Sequence, residues 1–102
     1  MVLYINTKDM NVVTVALKEG EEVVDSLSEE NEWGSQVLLP LIEKILKKNK
    51  LEFKDLTAIE AEEGPGSFTG LRVGASVAQA LGFSLNIPVN GKLNKPLDLK
   101  YT

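Results

Sequence analysis

The stretch Glu63-Gly64-Pro65-Gly66-Ser67-Phe68-Thr69-Gly70-Leu71-Arg72-Val73-Gly74 constrains this chain more than any other part of it. Gly64, Gly66, Gly70 and Gly74 are half of its eight glycines. A short apolar run, Leu56 to Ile59, comes before the stretch. A run whose single charge is Arg72 follows it as far as Asn90. Glycines between two apolar runs predict a tight turn from a buried strand into a buried helix. What that turn and helix touch decides most of what the chain can do.

The remaining elements follow from periodicity. Val2 to Ile5, Val12 to Leu17 and Val23 to about Ser28 are runs rich in β-branched residues. With turns at Asn6–Asn11 and Glu19-Gly20 they predict an antiparallel meander. Glu29 to Trp33 is acidic and is expected to be a loop, and Ser35 is placed to cap a helix. Leu38, Leu41, Ile42, Ile45 and Leu46 recur at three and four residues, the spacing of one buried helical face. Pro40 sits early in that helix, where a lost N–H costs least, and Lys44, Lys47, Lys48 and Lys50 suit its C-terminal end. A fourth strand is expected over Thr57–Ala61, a second helix from Ser67 or Thr69 to Leu85, and a fifth strand at Ile87-Pro88-Val89. The expected architecture is an α/β domain with a five-stranded mixed sheet and two main helices, of the ribonuclease H-like or actin-like ATPase type. Residues 1–90 would form this domain. Residues 91–102, interrupted by Pro96, would form a tail with few apolar anchors.

Composition narrows the chemistry. The 102 residues contain neither cysteine nor histidine. Disulfides, thiolate nucleophiles and the commonest general base and metal ligand are therefore excluded. The net charge of −4 weighs against nucleic acid or an acidic membrane as a direct partner. Val73 to Gly91 is uncharged, but Ser76, Gln79, Asn86, Pro88 and Asn90 within it weigh against a membrane span. No basic leader or cleavage site is evident, and a cytoplasmic protein is expected.

Two places in the sequence could carry chemistry. Enzymes of this architecture carry an acid at the end of the first strand to hold a metal ion; here the position is Asn6, which supplies no charge. Glu60, Glu62 and Glu63 then lack a partner acid and look like a solvated edge. The glycine turn could present N–H groups to a phosphate, but Leu71-Arg72 stands where a P-loop needs Lys-Ser/Thr. The other reading is structural: Gly64, Pro65 and Gly66 make the turn, and Ser67 or Thr69 caps the helix. No histidine is present to activate Ser67 or Thr69 as a nucleophile. On the helix, Gly70, Gly74, Ala78 and Gly82 recur every four residues, a stripe that lets another backbone come close. Arg72, Ser76, Gln79 and Phe83 form a thinly polar face, the mark of an interface.

The run Gly64 to Gly74 resembles the signature of the bacterial TsaB (YeaZ) family. Leu38-Leu39-Pro40-Leu41-Ile42, Ile87-Pro88-Val89 and the opening Tyr4-Ile5-Asn6-Thr7 are similar to it as well. The likeness covers about residues 1 to 90. Asn6 replaces an acid, Gly34-Ser35-Gln36 stands where the family usually has His-Ser-Glu, and the likeness would cover the first of the family's two domains, in a fragment or a reduced form.

The resemblance implies an actin-like fold without catalysis of its own and without a cofactor or metal. It implies pairing with TsaD, an ATP- and metal-binding paralogue, or with a second copy of the chain. With TsaE acting indirectly, the pair would move a threonylcarbamoyl group to the adenosine beside the anticodon of tRNA. The tRNA would be met only through the complex. On this chain the interface would draw on Leu38, Ile42, Ile45, Gly70, Val73, Gly74, Val77, Ala78 and Leu81, some of which face the sheet instead. The motif turn would comprise Gly64, Pro65, Gly66, Ser67, Thr69 and Arg72. The alternative is a small nucleotide-binding actin-like enzyme using Asn6, Thr7 and the glycine turn. A peptidase is a third and weaker reading.

Overall fold

The computed structural model describes residues 1–9, 11–30 and 35–101, with the side chain of Ser35 left out. Strands β1 (Val2–Asn6), β2 (Val12–Glu19) and β3 (Glu22–Glu30) form the meander. Helix α1 (Ser35–Lys48) follows, then a single 3₁₀ turn at Phe53–Asp55, strand β4 (Ala58–Ala61) and helix α2 (Phe68–Leu85). The sheet order is β3-β2-β1-β4. Strands β1 and β2, and β2 and β3, pair antiparallel, while β4 lies parallel to β1. A parallel neighbour needs a crossover connection, and α1 provides it.

The alternation of β1 explains its place at the centre. Leu3 and Ile5 are fully buried, opposite Leu17 and Val15 on one side and Ile59 and Ala61 on the other. That single sheet face carries the core. Leu38, Leu41, Ile42, Ile45 and Leu46 of α1 join it, as does Ala78 of α2. Removing a side chain such as Ile42 or Leu3 from water contributes on the order of 1.5–3 kcal/mol. Pro40 occupies an exposed position early in α1, away from this stripe.

The expected elements differ from the observed ones in a few places. Strand β3 continues to Glu30, past the expected end at Ser28, because its hydrogen-bonded partner β2 runs on to Val12. The remainder of the predicted loop, Asn31 to Trp33, and the predicted cap at Ser35 lie outside the described residues and side chains.

Among the described residues the sheet has four strands, not five. Ile87-Pro88-Val89 approaches β4 but makes a single parallel bridge, Ile59 to Val89. Pro88 has no N–H to give the ladder. Asn90 takes a left-handed conformation, with φ of 51°, and ends the extension. Its side chain then replaces the missing backbone pairing: Oδ1 accepts from the Ala61 N–H at 2.8 Å, and Nδ2 donates to the Ala61 carbonyl at 2.9 Å.

A glycine turn and the outer face of helix α2

The turn between β4 and α2 is held by the chain's own groups. The Gly64 N–H donates to Glu62 Oε1 at 3.3 Å, and the Gly66 N–H to the Lys100 carbonyl at 3.2 Å. The Ser67 N–H donates to the Lys8 carbonyl at 2.9 Å. Ser67 is the N-cap of α2, and its Oγ accepts from the Gly70 N–H at 3.2 Å. A phosphate cradle needs several free N–H groups aimed at one point. Here those of Gly64, Gly66, Ser67 and Gly70 already have partners, so the capping role expected for Ser67 is the one observed.

The small-residue stripe of α2 faces inward. A methyl group on Gly70 would collide with the Thr7 carbonyl, and one on Gly74 with the Thr7 hydroxyl. One on Gly66 would come within 2.7 Å of Lys8. The stripe does let another backbone come close, and that backbone belongs to the chain's own β1–β2 turn. Thr7 is buried beneath α2 with 3% of its surface exposed.

This geometry sorts the expected interface residues. Leu38, Ile42, Ile45 and Ala78 are fully buried in the core, and Gly70 and Gly74 lie under the turn. Leu81 is half-buried and packs against the core. Apart from Leu81, whose burial matches that of Val73 and Val77, these residues present no open side chain. Val73 and Val77, half-buried, line a shallow depression of about 350 Å³ on the outer side of α2 with Phe68, Thr69, Arg72 and Ser76. Phe83, about two turns further on, is 76% exposed, and Phe68 is 55% exposed. Phe68 is not among the residues that the sequence pattern singles out. Its position as first residue of the helix, four before Arg72, was the available signal. The Arg72 guanidinium carbon sits 5.3 Å from the centre of the Phe68 ring, a cation–π contact.

The carboxylates beside the turn are engaged within the chain. Lys18 donates to Glu60 at 2.7 Å, Tyr4 donates to Glu62 at 3.2 Å, and the Asp98 N–H donates to Glu63 at 2.8 Å. Burial, reinforced by the negative charge of Glu62, holds the Tyr4 phenol above its ordinary pKa. Asn6 Oδ1 accepts from the Lys8 N–H at 3.1 Å and so shapes the β1–β2 turn. Among the described residues, no three acidic or other ligating side chains gather in a way that could hold a metal ion. None of the described helices is long and apolar enough to cross a membrane.

A mixed sheet with two helices on its core, entered by a glycine turn at the start of the second, defines an α/β domain of the actin-like type. The family model described as TsaD, tRNA N6-adenosine threonylcarbamoyltransferase, matches residues 33–91, and the chain belongs to that family. Its similarity to members named TsaB or YeaZ runs through sequence and fold. The TsaB of Buchnera aphidicola subsp. Acyrthosiphon pisum is 44% identical over 69 residues, covering 67% of this chain and 31% of that protein. YeaZ from Pseudomonas aeruginosa superposes with a TM-score of 0.77 at 31% identity, over 86% of this chain and 41% of that one. A protein named tRNA N6-adenosine threonylcarbamoyltransferase from Nitrosospira multiformis is 52% identical over 54 residues, 53% of this chain and 16% of that protein. The chain thus spans about a third of the length of the TsaB it matches.

Proposed function

We propose that this chain serves tRNA threonylcarbamoyladenosine biosynthesis as a non-catalytic subunit. In this reading it pairs with a TsaD-like transferase through the outer face of α2. The observation that carries the reading is the composition of that face. Phe68 and Phe83 are exposed, and Val73 and Val77 half-buried, along a helix whose single charge is Arg72. Exposed apolar surface with so little charge is the usual core of a protein–protein contact. The neutral Asn6 and the occupied N–H groups of the turn support assigning ATP and metal chemistry to the partner.

Titration calorimetry of this chain against the TsaD-like protein of the same organism tests the reading. Ser76→Arg and Phe83→Glu change exposed positions and should leave thermal stability unaltered. Each is expected to weaken pairing about tenfold or more, the loss expected when a charge is placed in an interface core. Full-strength binding by both variants would remove the outer face from the interface. Tight binding of magnesium ATP by the chain alone would replace this reading with the nucleotide-binding one.

A further inference from the structure

Residues 95–101 run back along the glycine turn and the flank of α2, and pairing alone does not account for them. Four hydrogen bonds tie them down. The Lys100 N–H donates to the Glu63 carbonyl at 2.7 Å, and the Gly66 N–H donates to the Lys100 carbonyl at 3.2 Å. The Asp98 N–H reaches Glu63 Oε2 at 2.8 Å, and Gln79 Nε2 donates to the Lys95 carbonyl at 3.0 Å. Leu97 packs half-buried against the core, and the Tyr101 ring lies 4.7 Å from that of Phe68, centre to centre. At Gly64, with φ of 109°, any side chain would strike the Lys100 carbonyl, so the turn itself makes room for this segment.

The segment and the outer face of α2 share residues. Arg72 and Ser76 line the depression on the outer face with Val73 and Val77. They also line a second one with Leu97, Leu99 and Tyr101. Phe68 belongs to the first and packs against Tyr101 with its ring tilted by 48°. The anchoring is modest. Two exposed hydrogen bonds to side chains, two between main-chain groups and two half-buried leucines stand against the entropy of ordering seven residues, so displacement is within reach of a competing contact.

We propose that residues 95–101 are a displaceable strap that competes with the protein partner for Phe68 and Arg72 at the start of α2. The proposal rests on the pairing reading above. Chains with the strap seated have a reduced docking face, so apparent affinity scales with the fraction in which it is lifted.

The test uses the full chain carrying Leu97→Ser and Tyr101→Ala together. Amide hydrogen exchange should show protection lost at Gly66, whose N–H is held by the strap, and kept at Ser67, whose N–H is held by Lys8. Affinity for the TsaD-like partner should rise about threefold to tenfold. Gln79→Ala, which removes only the anchor at Lys95, should act in the same direction with a smaller gain and guards against a folding defect in the double variant. Unchanged protection at Gly66 overturns the strap. Lost protection with equal or weaker binding overturns the competition while pairing stands. Absence of binding by the native chain and both variants overturns the pairing and the competition together.

Discussion

Replacing Gly74 by Ala puts the inward reading of α2 to a quantitative test. On an open helix the change would stabilise the protein by about 1 kcal/mol, because alanine is the better helix former. Here the new methyl group would collide with the Thr7 hydroxyl and lie 3.4 Å from Thr7 Cγ2. Thr7 is buried, with 3% of its surface exposed, and has little room to turn. Overpacking of this kind costs about 1–3 kcal/mol. The net expectation is a loss of about 1 kcal/mol, seen as a fall of about 4–8 °C in the melting midpoint of a domain this size.

The cause can be isolated by a double-mutant cycle in urea or thermal unfolding. Thr7→Ala removes both γ atoms, so Gly74→Ala in that background should become neutral or stabilising. Gly70→Ala should not be rescued, because its collision is with the Thr7 main-chain carbonyl, which Thr7→Ala keeps. A stabilising Gly74→Ala in the native background would refute the close approach. It would return this glycine to a surface available for a partner. Gly74→Arg is then expected to unfold the domain instead of selectively blocking pairing.

Other expectations follow from the same geometry. Ser67→Ala removes the cap on the Gly70 N–H and should cost about 1 kcal/mol in urea unfolding. The Asp25 carboxyl is held below its ordinary pKa, first by the Asn49 side-chain amide and also by Lys48. A depressed folded value gives stability that is present above the unfolded pKa and lost as pH falls through the folded one. Asn49→Ala should therefore raise the Asp25 pKa towards the ordinary range, as read by NMR titration, and an unmoved titration would sink the assignment. Tyr4, raised by burial and by Glu62, runs the other way. Its contribution is present below the unfolded pKa and is lost as pH climbs through the folded value. Glu62→Gln should lower the Tyr4 pKa in an absorbance titration while the part due to burial remains.

What the sequence by itself determined is local or periodic. The alternation in Val2 to Ile5 and Val12 to Leu17, the three-and-four spacing of Leu38, Ile42 and Ile45, and the turn at Gly64 to Ser67 each act over a few residues. Their element types are set by backbone geometry within that reach. The signature run also carried the family, because it is contiguous. The tertiary structure decided which neighbour each residue meets. The small stripe Gly70, Gly74, Ala78 and Gly82 asks for a close backbone, but spacing along a helix does not say whose. Only the fold brings Thr7, more than sixty residues away, under it. Leu38, Ile42 and Ile45 could have faced a partner or the sheet, since burial against either satisfies the same periodicity. They are buried in the core, whereas Phe68, Arg72, Ser76 and Phe83 of α2 stay exposed. The fifth strand was lost for the same reason. Strand pairing needs a row of donors at the right distance, and Pro88 and the left-handed Asn90 interrupt that row where the partner strand runs.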